Sequence, residues 1–199
     1  MIRVSDKMNY THRFDGKSDI YEKARPKYAS GLFDYLKNTL NIPSGSVFAD
    51  IGSGTGIFTE QLLGCGYRVF AVEPNMDMRK KAEEKLSHNK NFVSVNGSDS
   101  DMKLPSGSVD YITAAQAFHR FGAAVFKKEC CRVLKLEGKV IIVYNSENTT
   151  RNFAAFQTAQ VKKSAEHFLT ETAPYSAPTT HRYTTDRVIQ TVCFLPPIP

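Results

Sequence analysis

Ser46-Val47-Phe48-Ala49-Asp50 reads as a short buried strand, and it runs through Ile51 into Gly52-Ser53-Gly54-Thr55-Gly56. Ile57 to Leu63 then has the pattern of a helix closed by Gly64 and Gly66. A strand, a loop of small residues and a helix in that order set unpaired N–H groups beside a turn where a ligand can come close to the backbone. Three readings of the loop compete. A loop that cradles phosphates for nucleotide hydrolysis needs Gly-Lys-Ser/Thr at its end, and this one ends Gly56-Ile57-Phe58. A dinucleotide fingerprint needs Gly-x-Gly-x-x-Gly, and Ile57 stands where the third glycine belongs. Here the glycines run Gly-x-Gly-x-Gly, with the acid Asp50 two residues ahead. A carboxylate at that place repels a pyrophosphate and attracts an ammonium group, so the ligand suggested is zwitterionic with a cationic amine.

Outward from the loop, strand and helix alternate. Tyr28 to Leu40 carries Leu32, Phe33, Leu36 and Leu40 at helix spacing and is stopped by Asn41-Ile42-Pro43 and Gly45. Arg68 to Val72 is a second strand, ending in Glu73-Pro74, and Asn75 to Leu86 the next helix. Phe92 to Val95, Val109 to Ala115 and Lys139 to Tyr144 are further strands. Before the last of them, Phe126, Cys130, Val133 and Leu134 mark one face of a helix that Gly138 is expected to end. Continuous apolar strands alternating with helices between residues 46 and 145 predict an α/β fold, a doubly wound, mostly parallel sheet with helices on both faces. Glu73, 21 residues after Gly52, closes the second strand with a carboxylate able to accept from both hydroxyls of a ribose.

The length of 199 residues favours one domain large enough to bury a core without disulfides or structural metal. No apolar stretch exceeds Val140 to Tyr144, which excludes a membrane helix, and Met1 to Phe14 lacks the apolar centre of a secretory signal. A soluble cytoplasmic protein is expected. Cys65, Cys130, Cys131 and Cys193 have no metal-ligand spacing, so they read as small apolar residues in a reducing compartment and no metal is expected. The net charge of +6 is dispersed; the one compact basic run, Arg79-Lys80-Lys81, is followed by Glu83 and Glu84 at helix spacing, which argues against a nucleic-acid stripe.

With these residues in place, the chain resembles the class I S-adenosylmethionine-dependent methyltransferases, of the small-molecule type, over roughly residues 20 to 146. Ala49 to Gly56 is similar to the first motif and Ala71-Val72-Glu73-Pro74-Asn75-Met76 to the segment after it. Asn96 to Ser100, Ser108 to Tyr111, Ala115 to His119 and Cys131 to Lys139 follow in the family's order. The resemblance implies a Rossmann-like core at residues 1–146 with an N-terminal lid helix, S-adenosylmethionine as cofactor and S-adenosylhomocysteine as product. It implies that Gly52, Ser53, Gly54 and Gly56 shape the methionine pocket, that Asp50 helps hold the donor's amino end, and that Glu73 binds the ribose. Asn75 and Met76 would flank the adenine, and Ser98 or Asp99 would face its amino group. Tyr21, Arg25 and Tyr28 match the family's Tyr…Arg-Pro-x-Tyr lid; packing of an N-terminal helix is the alternative.

Gln116, Phe118 and His119 follow the fourth strand, at the carboxyl edge where such sheets bind ligands. Gln116 is expected at the donor, Phe118 at the acceptor, and His119 either as a base or as an orienting group, with a backbone-bonded core histidine as the alternative. The family's base-N-methylating members carry Asn/Asp-Pro-Pro-aromatic there, so a small-molecule acceptor is expected and nucleic acid is not. A non-catalytic S-adenosylmethionine-binding protein and an NAD(P)-dependent oxidoreductase are the alternatives.

Residues 147–199 read as an atypical C-terminal segment of the same domain. Ten threonines and five of the nine prolines fall there, so Ala173 to Arg187 is expected to be turn or loop. Val188 to Leu195 is the one late strand candidate, with no partner visible. The sheet is therefore expected to be possibly incomplete at this end, and donor binding to survive loss of residues beyond Thr170.

Overall fold

The computed structural model describes residues 27–147, 179–184 and 188–195. Helix α1 (Ser30–Asp34) continues as a π-helical turn, Tyr35–Thr39, and stops where Asn41 turns left-handed ahead of Pro43. It buries Leu32, Phe33 and Leu36, the stripe its spacing predicts. Strands β1 (Val47–Ile51), β2 (Arg68–Val72), β3 (Phe92–Val95) and β4 (Val109–Ala115) alternate with helices α2 (Ile57–Gly64), α3 (Met76–Leu86) and α4 (Ala123–Val133). No helix separates β3 from β4. Glu129 and Arg132 of α4 hold that connection instead, the Met102 N–H donating to Glu129 and Arg132 donating to the Leu104 carbonyl.

With β5 (Leu134–Glu147), β6 (Thr179–Thr184) and β7 (Val188–Leu195), the strands of the described residues form one seven-stranded sheet in the order β3-β2-β1-β4-β5-β7-β6. The first five are parallel, so the carboxyl ends of β1 to β4 share an edge. Winding reverses between β1 and β4, and the crevice at that switch is where open α/β sheets take ligands. Alternate residues feed two cores. Ala49, Ile51, Ile112, Val140 and Ile142 pack with Phe118, Phe126 and Cys130 on the α4 side. Phe48, Val69, Ile141 and Val143 pack with Leu32, Leu36, Phe58 and Leu62 on the α1 and α2 side. There Phe48 is stacked between Tyr67 and Tyr111, with ring centroids 4.7 and 4.9 Å apart. Cys130 is buried and Cys131 exposed, as neighbours on a helix must be.

Three expectations are corrected. Helix α4 ends at Val133 rather than at Gly138, and β5 (Leu134–Glu147) begins at once. The register against β4 shifts between Val109 and Tyr111, and Glu137 takes a left-handed φ of 65°, so the strand is kinked where the sequence suggested a turn. Within the stretch expected to be loop, Thr179–Thr184 forms β6. Strand β7 (Val188–Leu195) is the strand foreseen, and it is not unpartnered: it lies antiparallel between β5, from Val140↔Leu195 to Glu147↔Val188, and β6. The sheet is thus complete at this end.

That pairing overturns the expected tolerance of truncation. Ending the chain after Thr170 would strip β6 and β7 and leave the long, apolar β5 as an open edge, a template for aggregation. The truncated chain is expected to elute as aggregate in size-exclusion chromatography; a soluble monomer with an unchanged melting temperature would show the pair to be dispensable.

Candidate functional site

At the carboxyl edge of β1 the chain turns through three glycines of positive φ, Gly52, Gly54 and Gly56. Two of these have separate reasons. A side chain on Gly52 would drive its Cβ to 2.7 Å from Ala117 Cβ, in the turn after β4. A Cβ on Gly54 would meet nothing within 4 Å, so left-handed backbone and open space coincide over the loop. The Gly52 N–H donates to the Val72 carbonyl at 2.8 Å, fastening the loop to the end of β2. The Ser53 and Thr55 hydroxyl oxygens are buried and, among the described residues, have no hydrogen-bond partner. Such orphans are rare in folded proteins and cluster where a ligand or water completes them.

Glu73 follows β2 and spans the crevice. One oxygen accepts from the Gly54 N–H at 3.0 Å and the other from the Asn75 N–H at 2.9 Å. Each oxygen keeps a further lone pair. Burial pushes the Glu73 carboxyl above its ordinary range, while those two N–H groups, then Arg120 and Arg79, pull it back. Asn75 caps α3, accepting from the Met78 N–H at 3.0 Å, and Arg79 ties the Glu73 carbonyl to Asn96 beyond β3. Met76, the first residue of the helix, stands 69% exposed beside them.

Asp50, expected to help hold the donor's amino end through water, lies beneath the glycine loop. It is 1% exposed, and its two oxygens accept from Thr59 of α2 at 2.7 Å and Thr113 of β4 at 3.0 Å. Burial pushes its carboxyl from the ordinary 3.8 to about 6; the two threonine hydroxyls oppose the rise and the Glu73 charge adds to it. Asp50 acts as a buried tie between three elements.

After β4, Gln116 takes a left-handed φ of 56° and donates its N–H to the Val143 carbonyl at 2.8 Å. That twist leads into a 3₁₀ turn, Phe118–Arg120, which buries Phe118 and leaves the next two side chains at the surface. Phe118, expected at the acceptor, is 3% exposed and packed on Phe121 and Phe126 in the core. His119 and Arg120 are exposed, which sets aside the core-histidine alternative. The His119 ring lies 6.0 Å from that of Tyr144, whose phenol burial pushes up to about 12. Asp99 accepts from the Gly122 N–H at 3.0 Å, joining the loop after β3 to the start of α4, while Ser98 lies 3.1 Å from Ser100 between hydroxyls.

The crevice therefore gathers Gly52, Ser53, Gly54, Gly56, Glu73, Asn75, Met76, Gln116 and His119, with Ser98 and Asp99 on the next loop. Tyr28 is packed against Phe58 of α2, ring centroids 4.8 Å apart; its main-chain N–H donates to Gln61 Oε1 and its carbonyl accepts from Gln61 Nε2. This is the helix-packing alternative to the lid; Tyr21 and Arg25 lie outside the described residues. Sequence reasoning missed Arg120, Arg79, Tyr144 and the threonine pair. Thr59 sits one turn into α2, nine residues after Asp50, a spacing that could have been read. Among the described residues there is no cluster able to hold a metal and no helix long and apolar enough to cross a membrane.

Comparison with known proteins gives a consistent result. The family described as "Methyltransferase domain" matches residues 49–142. A methyltransferase-like protein of Schizosaccharomyces pombe is 33% identical over 137 residues, 67% of this chain and 52% of its own length. An uncharacterized methyltransferase of Geobacillus is 31% identical over 156 residues, 76% of this chain and 68% of its own. The chain spans about half to two thirds of the length of these curated relatives. A SAM-dependent methyltransferase from Aquifex aeolicus superposes with a TM-score of 0.65 at 18% identity, over 89% of this chain and 98% of that one. Phosphoethanolamine N-methyltransferase 2 of Haemonchus contortus, solved with S-adenosyl-L-methionine, gives 0.67 at 15%, over 100% and 61%. At such identities the likeness is one of fold.

The Asp50 tie has a pH signature. A carboxyl whose folded pKa is raised favours the folded state fully below its unfolded value near 3.8, and that contribution is lost as pH rises through about 6. Asp50→Asn removes the charge, so its stability relative to the parent should improve between pH 4 and pH 7 by on the order of 3 kcal/mol. Urea melts of both proteins at the two pH values measure this, and a pH-independent difference would refute the buried-charge account.

Proposed function

This chain belongs to the class I S-adenosylmethionine-dependent methyltransferase family, and from that premise we propose that it methylates a small-molecule acceptor, in the cytoplasm and without a metal. The observation that carries the reading is Glu73, a carboxylate at the end of β2 with a free lone pair on each oxygen, facing the open space above Gly54. S-adenosylmethionine, when bound, supplies a methyl group made electrophilic by its sulfonium.

The residues fit that group. Glu73 would accept from the ribose hydroxyls, and the exposed Met76 would cover a flat face of the adenine with Asn75 holding the helix start in place. Ser98 and Asp99 lie on the loop that would border its amino group; Asp99, already engaged by the Gly122 N–H, leaves the serine hydroxyl as the more adaptable partner. The orphan Ser53 hydroxyl and the open Gly54 would receive the methionine end, with Asp50 fixing the loop from below. The remaining work is alignment and exclusion of water more than elaborate proton chemistry. Gln116, held in its twist by Val143, borders the donor, and His119 on the next turn would take or orient the acceptor's proton. Gln116-Ala117-Phe118-His119, with no Pro-Pro-aromatic, supports an acceptor other than a DNA base.

Calorimetry with S-adenosylhomocysteine and with NAD tests the donor. The first is expected to bind and the second not, and Glu73→Gln should weaken the first at least tenfold, about 1.4 kcal/mol; a preference for NAD would refute the assignment. With labelled donor and a panel of acceptors, His119→Ala should lower kcat by roughly 10²-fold or more while S-adenosylhomocysteine affinity stays unchanged. Parallel loss of both would make His119 a structural residue.

A further inference from the structure

Arg79 stands where its own helix disfavours it. It ends the first turn of α3, near the helix N-terminus, where the macrodipole repels a cation and welcomes an acid such as Asp77. Its side chain is nevertheless drawn inward, 17% exposed, against the carboxyl ends of two strands. There Nη1 donates to the Glu73 carbonyl at 2.9 Å and to Asn96 Oδ1 at 3.1 Å, with the Pro74 carbonyl at 3.4 Å. On the other side Nε lies 3.8 Å from Glu83 Oε1, one turn along the helix, and that oxygen accepts from Ser94 Oγ of β3 at 2.5 Å. One guanidinium therefore fastens α3 to the end of β2 and to the first residue after β3. The Glu73 side chain is held at its tip by the Gly54 and Asn75 N–H groups, and its main chain by Arg79. Asn96 in turn begins the loop that carries Ser98 and Asp99.

We propose that Arg79 is a positioning residue for the donor, setting the Glu73 carboxylate and the loop after β3 at one fixed spacing so that ribose and adenine are recognised together. This rests on the methyltransferase reading above and gives a task to a residue that reading leaves idle. Arg79 acts through its neighbours and not on the donor itself. Its charge has a second effect. Glu73 accepts from two hydroxyls best as a carboxylate, and burial opposes that ionisation. Asp50 of β1 repels the Glu73 charge, while Arg79 of α3 and Arg120 of the turn after β4 support it. With the Arg79 guanidinium gone, Glu73 takes up its proton at a higher pH, and donor affinity falls away at a higher pH with it.

The test is calorimetry of S-adenosylhomocysteine with the full chain across a series of pH values. Arg79→Met should weaken binding by about tenfold above neutral pH and move the acid fall-off of affinity upward. Arg79→Lys keeps the charge, so the fall-off should stay in place, with an affinity between those of parent and Arg79→Met. Asn96→Ala removes one acceptor at the exposed end of the tie. It should weaken binding by a smaller factor and add nothing further when combined with Arg79→Met. In the Glu73→Gln background Arg79→Met should leave the pH dependence unmoved, because the titrating group is absent. Asp50 titrates in all these proteins and drops out of the comparison. Unchanged affinity in Arg79→Met, an unmoved fall-off in that variant, or a shift that persists with Glu73→Gln would each overturn the proposal. So would Asn96 and Arg79 losses that simply add. If Arg79→Met does not fold, parental affinity in both Arg79→Lys and Asn96→Ala overturns it equally. Failure of S-adenosylhomocysteine to bind the unaltered chain would instead strike the donor reading.

Discussion

A carboxylate sealed from water holds this crevice together. Asp50 has its two oxygens against threonine hydroxyls from α2 and β4, so one buried group fixes the end of β1 relative to the helix after the glycine loop and to the strand across the topological switch. Burying an ion without a cationic partner is costly, and the raised pKa records that cost. Hydrogen bonds to charged groups, each worth roughly 1.5–3 kcal/mol, offset part of it. The arrangement also sets the field above it. Glu73 lies within reach of the Asp50 charge, and both press toward a positively charged guest, whereas a pyrophosphate would face two carboxylates.

The parallel half of the fold was legible because its strands are short, mostly apolar runs bounded by polar or small residues. Phe92–Val95 lies between Asn91 and Asn96, and Val109–Ala115 between Ser108 and Gln116, so both could be bounded to the residue. Two places resisted. Leu134 continues the helical phase of Phe126, Cys130 and Val133, so periodicity assigned it to α4, while in the fold it opens β5 and packs in the same core. Thr179–Thr184 is rich in threonine and polar residues, like a loop. It is also an edge strand, where backbone pairing with β7 rather than an apolar pattern defines the element.

The site divides in the same way. Its backbone features, the glycine turn and the acid after β2, follow from local chain direction and could be read directly. Side-chain direction in the turn after β4 could not. Phe118 and His119 are adjacent in sequence, yet the twist at Gln116 and the 3₁₀ turn send one into the core and the other to the surface. The surroundings of Asp50 were legible only in part: Thr59 follows nine residues on in α2, but Thr113 is sixty-three residues away and only the packed sheet brings it there.

The close approach of Gly52 and Ala117 joins two segments, the glycine loop after β1 and the turn after β4. Ala117 Cβ already occupies the space that a side chain at position 52 would need. For a lineage accumulating substitutions, the two positions behave as a single site, since growth at one requires shrinkage at the other. Glycine at 52 also serves its left-handed backbone, so the trade cannot run in the opposite direction without strain. Diversification of the turn after β4 must then start beyond Ala117, at residues such as His119 and Arg120 whose side chains are already exposed.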